Sequence, residues 1–155
     1  MTTPGIKLTR YPYEEPYHLN LRIAASNGHL NGDLEYYCNA TDLKELGKQL
    51  VDFSGKRSEK IVYELGSEKP EDRFAFFLSL RVEPLDAVGH CAVIVRLNNN
   101  QTIPEREVTE FCIKAEVADV NRLGKLLVEF GRLQHRALEW SVQDGRLLKE
   151  DEEEA

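Results

Sequence analysis

Hydrophobic and polar side chains alternate along seven stretches of the chain, and each alternation predicts a half-buried β-strand. In the first stretch, Leu19, Leu21 and Ile23 share one face while Asn20 and Arg22 occupy the other. Short polar turns separate most neighbouring stretches, so we expect antiparallel pairing. The predicted strands lie at residues 17–23, 30–38, 61–65, 74–82, 91–97, 111–117 and 138–142.

Two further stretches carry apolar residues at steps of three and four, which is the spacing of an amphipathic helix. The first covers residues 42–53 and can begin at a capping Asn39 or Thr41, and the second covers residues 119–133. Their apolar stripes must be buried against a sheet. We therefore predict an α+β fold of two layers, in which a mainly antiparallel sheet of six to seven strands carries two helices on one face.

The pattern divides the chain into three parts. Residues 1–16 contain three prolines and no clear periodicity, which predicts an irregular arm rich in tyrosine and proline. Residues 17–143 are predicted to form a single α+β domain, which is a usual size for one hydrophobic core. Residues 144–155 are polar and end in a run of acids, so we expect a disordered tail.

Residues 42–65 match residues 119–142 at a constant offset of 77 positions without a gap. Seven of the 24 positions are identical, against about one or two expected by chance. The burial of leucines by any two amphipathic helices explains part of this match. A glycine inside a helix costs about 1 kcal/mol, however, and Gly47 recurs as Gly124. We therefore predict an internal pseudo-twofold duplication of a strand–strand–helix–strand unit, with residues 74–82 as an added strand and the glycines letting each helix approach the sheet.

The formal net charge is −7, and residues 149–155 contribute five acids and one lysine to it. The rest of the chain is only mildly acidic and has no long basic cluster, which disfavours nucleic acid and anionic membranes as partners. We find neither the apolar core of a signal peptide nor a membrane span, so we expect a cytoplasmic protein. The three cysteines, Cys38, Cys91 and Cys112, lack metal-binding spacing, and we predict reduced, buried thiols.

No catalytic or metal-binding motif is apparent in the sequence. It lacks GxSxG, HExxH, Walker A and GxGxxG patterns, and its four histidines are not spaced to hold a metal with one another or with a cysteine. Acidic residues lie in loops rather than alone in apolar runs, where burial would raise a carboxyl pKa. We therefore expect no catalytic residues, no metal and no cofactor, and we predict that the protein is not an enzyme.

Two adjacent predicted strands carry an apolar patch on the face away from the helices. An open face of an antiparallel sheet is normally polar, but here the middle is apolar and the ends are cationic. The pattern allows three interpretations of this patch. The N-terminal arm covers it, it binds another protein or a second copy of the chain, or it lines a small-molecule pocket. The candidate partner-binding residues are Phe77, His90, Ile94, Arg81 and Arg96. The alternative ligand-binding residues are Tyr11, Tyr13 and Phe77.

Three segments of the chain together resemble a known family. They are HLNLRIAASNGHLNGDLEYYCNATDLKELGKQL, FAFFLSLRVEPLDAVGHCAVIVRL and EFCIKAEVADVNRLGKLLVEF. A strand hairpin with a helix, a meander with a glycine turn and a second helix make residues 17–135 similar to the WapI-type immunity proteins of bacterial polymorphic toxin systems. The resemblance implies a small acidic cytoplasmic protein that binds and neutralises a toxin domain. We therefore predict a non-enzymatic protein-binding module; the alternatives are a small-ligand-binding domain and a homodimeric structural protein.

Overall fold

The computed structural model of the protein describes residues 3–12, 15 and 18–149, and it confirms the predicted α+β class. The described part contains nine β-strands, two α-helices and a short 3₁₀ helix at Pro70–Asp72. In chain order the elements are β1 (Gly5–Tyr11), β2 (Leu19–Ser26), β3 (Asn31–Cys38), α1 (Ala40–Asp52), β4 (Ile61–Gly66), β5 (Phe77–Pro84), β6 (His90–Asn98), β7 (Val108–Glu116), α2 (Val117–Phe130), β8 (Ala137–Ser141) and β9 (Gly145–Leu148).

The strands form two antiparallel sheets, not the single sheet predicted from the sequence. One sheet has five strands in the order β3-β2-β1-β8-β9, and the other has four in the order β4-β5-β6-β7. The division arises at the helices: α1 carries the chain from β3 in the first sheet to β4 in the second, and α2 carries it back from β7 to β8. Neither helix in the described ranges is long and apolar enough to cross a membrane.

The prediction of an irregular N-terminal arm is wrong for residues 5–11. They form β1, which lies in the middle of the five-stranded sheet between β2 and β8. Ile6 and Leu8 are buried in the core, but the next inward residue is Arg10, which interrupts the apolar alternation. The guanidinium of Arg10 donates a hydrogen bond to the backbone oxygen of His135 at 2.9 Å and pairs with Glu15.

The polar C-terminal segment also contains a strand that the sequence pattern did not predict. Residues Gly145–Leu148 form β9, which pairs antiparallel with β8, and Leu148 is only 3% exposed. Four residues with a single buried apolar side chain are too few for an alternation to be recognised. The predicted disordered tail is therefore wrong for this strand, and residues 150–155 lie outside the described residues.

The duplication is visible in the connections, although its unit is longer than predicted. The order strand–strand–strand–helix–strand occurs first as β1–β2–β3–α1–β4 and again as β5–β6–β7–α2–β8. A shift of 77 residues maps Asn31–Cys38 onto 108–115 and Ala40–Asp52 onto 117–129, which are the bounds of β7 and α2 to within one residue. The predicted added strand, now β5, is thus the counterpart of β1.

The two units exchange their last strands. β4 ends the first unit but pairs with β5 of the second, and β8 ends the second unit but pairs with β1 of the first. Each sheet therefore contains three consecutive strands of one unit and the final strand of the other, and neither unit has a complete sheet without its counterpart. This exchange gives the molecule its pseudo-twofold arrangement.

The duplicated glycines mark the crossing of the two helices rather than a contact between a helix and a sheet. A Cβ atom added at Gly47 would lie 2.8 Å from the backbone oxygen of Gly124, and one added at Gly124 would lie 2.6 Å from that of Gly47. Gly32 and Thr109, also 77 residues apart, are in contact at the ends of β3 and β7. The pseudo-twofold axis passes between both pairs, because each residue touches its own counterpart.

One hydrophobic core joins both sheets and both helices. The strands bury the side chains that the alternation predicted to face inward. In β2, for example, Leu19, Leu21 and Ile23 are fully buried. Asn39 is the N-cap of α1, as predicted, whereas α2 begins after Glu116 and uses Asp119 at its third position in a capping box. Each sheet therefore has an inner face in the core and an outer face turned away from it.

Candidate functional site

The outer face of the four-stranded sheet is the face that the sequence singled out. The strand register places its side chains in rows that run across β4, β5, β6 and β7. These rows alternate with buried inward residues such as Leu78, Val93 and Val95, so they point away from the helices. Three rows span all four strands: Gly66–Phe77–Asn98–Val108 at one end of the face, then Glu64–Ser79–Arg96–Glu110, and in the middle Val62–Arg81–Ile94–Cys112.

Phe77 and Ile94 lie on this outer face, in the orientation predicted from their phase. Both are half-buried, and neither belongs to the hydrophobic core. Arg81 lies between Ile94 on β6 and Val62 on β4, and Val62 is 57% exposed. The centre of the face is therefore a cation flanked by two apolar side chains.

Arg96, by contrast, is already engaged within the chain. Its guanidinium donates charge-assisted hydrogen bonds to both carboxylate oxygens of Glu68, with Nε–Oε1 and Nη2–Oε2 distances of 3.1 and 2.8 Å. The amide of Asn98 donates to the same carboxylate at 2.5 Å. The hydrogen bond from Arg96 lowers the pKa of Glu68 below its ordinary value of 4.5. Arg96 therefore holds the loop between β4 and β5 over one end of the outer face.

That loop, and not an N-terminal arm, is the segment that lies against the outer face. Ser79 and Asn98 are buried there, next to the contact between Glu68 and Arg96. The arm that we expected to cover the patch is instead strand β1 of the other sheet over residues 5–11. The row containing Ile94 lies beyond the Glu68 contact and keeps its partial exposure.

His90 lies at the opposite end of the outer face and is exposed. Its Nδ1 is 2.6 Å from a carboxylate oxygen of Asp86, and the other oxygen of Asp86 accepts the backbone N–H groups of Val88 and His90. The hydrogen bond with Asp86 raises the pKa of His90 and lowers that of Asp86. The pair closes the turn between β5 and β6.

The pH dependence of this turn follows from both pKa shifts. The raised pKa of His90 means that its stabilising contribution is present below its ordinary value of 6.5 and is lost as pH rises through the folded value. The lowered pKa of Asp86 means that its contribution is present above 3.8 and is lost as pH falls through the folded value. The Asp86–His90 pair therefore stabilises the turn most between pH 3.8 and pH 6.5.

We expect the Asp86→Asn substitution to lower the pKa of His90, measured by an NMR titration of the imidazole signals. The amide cannot supply the negative charge that holds the proton on the ring. Glu116→Gln is the matched control, because Glu116 raises the pKa of His90 less than Asp86 does and its loss should lower that pKa less. A pKa of His90 that is unchanged in Asp86→Asn would show that the pair does not form in solution.

A groove of about 600 Å³ lies beside the His90–Asp86 pair. Among the described residues that line it, Cys91 carries the only thiol or hydroxyl. Cys91 is fully buried, its Sγ donates to the backbone oxygen of Ala115 at 3.4 Å, and burial raises the pKa of its thiol to about 11. The thiol therefore stays protonated at neutral pH.

A second groove, of about 510 Å³, lies between the β4–β5 and β6–β7 loops, and sequence reasoning did not find it. Its lining includes three cations, Lys69, Arg73 and Arg106, and Phe74, which is 52% exposed. The amide of Asn100 joins its two walls by donating to the backbone oxygens of residues 67 and 74 at 2.8 and 3.0 Å. These groups come from loops about 30 residues apart, so only the pairing of β5 with β6 brings them together.

The alternative ligand-binding set is not assembled as the sequence suggested. Tyr11 lies on the outer face of the five-stranded sheet, opposite Asn20 on β2, whereas Phe77 lies on the outer face of the other sheet. Tyr13 lies outside the described residues. The structure therefore does not bring Tyr11 and Phe77 to one cavity.

The outer face of the five-stranded sheet is polar along β2, as predicted from Asn20 and Arg22, and also along β3. Arg22 and Asp33 pair across these strands at 2.6 Å, and Glu35 is exposed beside them. The four-stranded sheet thus differs from its pseudo-symmetric counterpart in having two apolar side chains, Val62 and Ile94, on either side of Arg81 in its middle row. Within residues 3–12, 15 and 18–149, no three His, Cys, Asp or Glu side chains are grouped so as to hold a metal ion.

No protein-family model and no curated protein matches the chain. Among solved structures, it is similar to that of the plant transcriptional regulator PBF-2, with a TM-score of 0.44 and 12% sequence identity. This similarity covers 81% of the present chain and 72% of the other. At that level it assigns neither a family nor a function to the protein.

Proposed function

We propose that the protein is a non-enzymatic protein-binding module, and that the outer face of the four-stranded sheet is its binding surface. In this proposal it is a cytoplasmic immunity protein that binds and neutralises a bacterial toxin domain, as the resemblance of residues 17–135 implies. The observation that carries the proposal is the row Val62–Arg81–Ile94, where a central arginine lies between exposed or half-exposed apolar side chains.

The composition of this surface suits the centre of a protein interface. Arginine and aromatic residues are enriched among the residues that dominate binding energy, and here Arg81 and Phe77 lie two rows apart on one strand. The β5–β6 turn extends the apolar surface, because Leu85 is 58% and Val88 is 78% exposed. A partner that covered the turn and the middle row would bury both apolar regions at once.

Charge supports a partner that is itself basic. The net charge of −7 attracts a positively charged domain over distances of about 8 Å, the screening length at physiological salt. Lys60 and Glu83 lie 3.8 Å apart at the edge of the face, where exposed charges affect association rates and orientation more than affinity. The apolar side chains of the middle row, Val62 and Ile94, would then supply the affinity.

We expect Ile94→Asp to abolish binding of the toxin domain that we propose as the partner, while the protein stays folded. The new carboxylate would lie next to Arg81 in the free protein, which limits its cost, but in the complex it would be desolvated against an apolar partner. Thr9→Asp is the matched control, because Thr9 is opposite Arg22 on the outer face of the other sheet. Calorimetric titration of both variants measures the difference.

Phe77→Asp gives a second reading of the same surface. The thermal midpoint of either variant should move little, since surface substitutions usually change stability by about 0.5 kcal/mol or less. A loss of more than about 3 kcal/mol in both variants would show that these side chains serve the fold rather than a partner. Unchanged affinity in both folded variants would remove the outer face as the binding surface.

A further inference from the structure

The strand β7 is a long, open edge of the four-stranded sheet. It spans nine residues, and it pairs with β6 on one side only among the described strands. Its outward side chains Glu110, Cys112, Lys114 and Glu116 are all exposed. An edge strand of this length presents unpaired backbone N–H and C=O groups that can extend the sheet with a strand from another chain.

The sequence of β7 is complementary to itself when it is read in the antiparallel direction about Cys112. Position 110 then faces position 114 of the second strand, so that Glu110 meets Lys114 twice, once on each side of the centre. On the inner face, Phe111 meets Ile113, which is a favourable pairing of an aromatic with a β-branched side chain. Cys112 faces its own copy at the centre.

We infer that the protein forms a twofold homodimer in which β7 pairs antiparallel with β7 of a second copy, with Cys112 on the axis. The two four-stranded sheets become one sheet of eight strands. Their outer faces lie on the same side, because directly opposed residues point to the same face of a sheet. The row that contains Ile94 and Cys112 then continues across the seam into the second copy.

The charges on β7 favour β7 of a second copy, rather than an unrelated strand, as its pairing partner. Lys114 is exposed and has no ion-pair partner among the described residues. Glu110 lies 3.9 Å from Arg96, at the limit of an ion pair. Pairing of β7 with its copy gives Lys114 a carboxylate directly opposite, and it does so at two symmetric places.

The edge strand β3 of the other sheet would repel a second copy of itself in the same arrangement. β3 is the counterpart of β7 and also lies at a sheet edge, with Glu35 at the position of Cys112. Antiparallel self-pairing of β3 about that position would place two Glu35 carboxylates directly opposite each other, and like charges so placed are destabilising. The two copies of the duplicated unit have thus diverged at the residue that decides whether the edge can pair with itself.

Charge reversal with rescue tests the dimer by analytical ultracentrifugation of the full chain. Lys114→Glu places two pairs of carboxylates across the seam and should weaken dimerisation by at least about tenfold, as should Glu110→Lys by placing pairs of ammonium groups there. The double variant with both substitutions exchanges the charges and should restore the dimer. Glu35→Lys on β3 is the matched control and should leave the dimer unchanged. Circular dichroism checks that each variant is folded.

A thiol cross-linker tests the position of the axis. A short bis-maleimide adds one Cys112 thiol to each of its two double bonds, and it should join two chains through Cys112 because Cys38 and Cys91 are buried. Cys112→Ser should abolish this product. A monomeric wild-type chain, or a double variant that stays monomeric, would overturn the inference. Neither outcome bears on target binding by the outer face, since this inference does not rest on the proposed function and no target is present in either experiment.

Discussion

The Gly124→Ala variant is expected to lose about 3 kcal/mol of stability or more, although alanine favours a helix over glycine by about 1 kcal/mol. The added Cβ would lie 2.5 Å from the backbone nitrogen of Val51 and 2.6 Å from the backbone oxygen of Gly47. Both are backbone atoms of α1, so no side-chain rotation relieves the clash and the two helices must separate. Urea denaturation followed by circular dichroism measures the change in the free energy of unfolding.

The same helices provide the controls for this prediction. Lys125 follows Gly124 directly but is exposed, so Lys125→Ala should change stability by about 0.5 kcal/mol or less. Gly47→Ala should resemble Gly124→Ala, because its added Cβ would lie 2.8 Å from the backbone oxygen of Gly124. Wild-type stability of both glycine variants would mean that the helices do not cross at this point.

The Trp140→Ala variant is expected to lose about 3–5 kcal/mol of stability, the usual cost of removing a large buried aromatic side chain. Trp140 is only 1% exposed and is among the largest fully buried side chains of the core. Its indole Nε1 also donates to the backbone oxygen of Asp119 at 2.9 Å, which joins β8 to the first turn of α2. Thermal and urea unfolding of the variant measure the loss.

Tyr63 is the counterpart of Trp140 in the first unit, and its substitution by phenylalanine is not expected to lower the stability. Its hydroxyl oxygen is buried and has no hydrogen-bond partner among the described residues. Tyr63→Phe removes that unsatisfied group, so the variant should be as stable as the wild type or more stable by about 1 kcal/mol. A large loss in Tyr63→Phe would show that the hydroxyl is bonded in solution, and a small loss in Trp140→Ala would show that the core closes without the indole.

The sequence alone determines the fold class, most of the elements and the face that each strand buries. These features depend on local periodicity: two residues in a strand and 3.6 in a helix, so burial can be read directly from spacing. The first predicted helix, at residues 42–53, is found as Ala40–Asp52, and Phe77 lies on the predicted face of β5. The same phase also indicates that Cys112 points outward between Phe111 and Ile113, so the prediction of a buried thiol there is wrong.

The duplication was predictable in part from the sequence and in part only from the tertiary structure. The match was detectable around Gly47 and Gly124 because both residues meet at one crossing, where any side chain would strike the backbone of the other helix. The first two strands of each unit have no such shared constraint, and their sequences have diverged. As a result, the sequence does not reveal β1 as the counterpart of β5. Their equivalence follows from the pairing of β1 with β2 and of β5 with β6.

Only the tertiary structure decided that there are two sheets, which strands exchange between them and what lies against the outer face. Strand exchange depends on where a helix delivers the chain, and no local pattern specifies that destination. The contact between Glu68 and Arg96 likewise joins residues 28 positions apart. Local spacing determines which way a side chain points, whereas its partner is determined by long-range pairing, and for that reason the orientation of the candidate site was predictable while its covering loop was not.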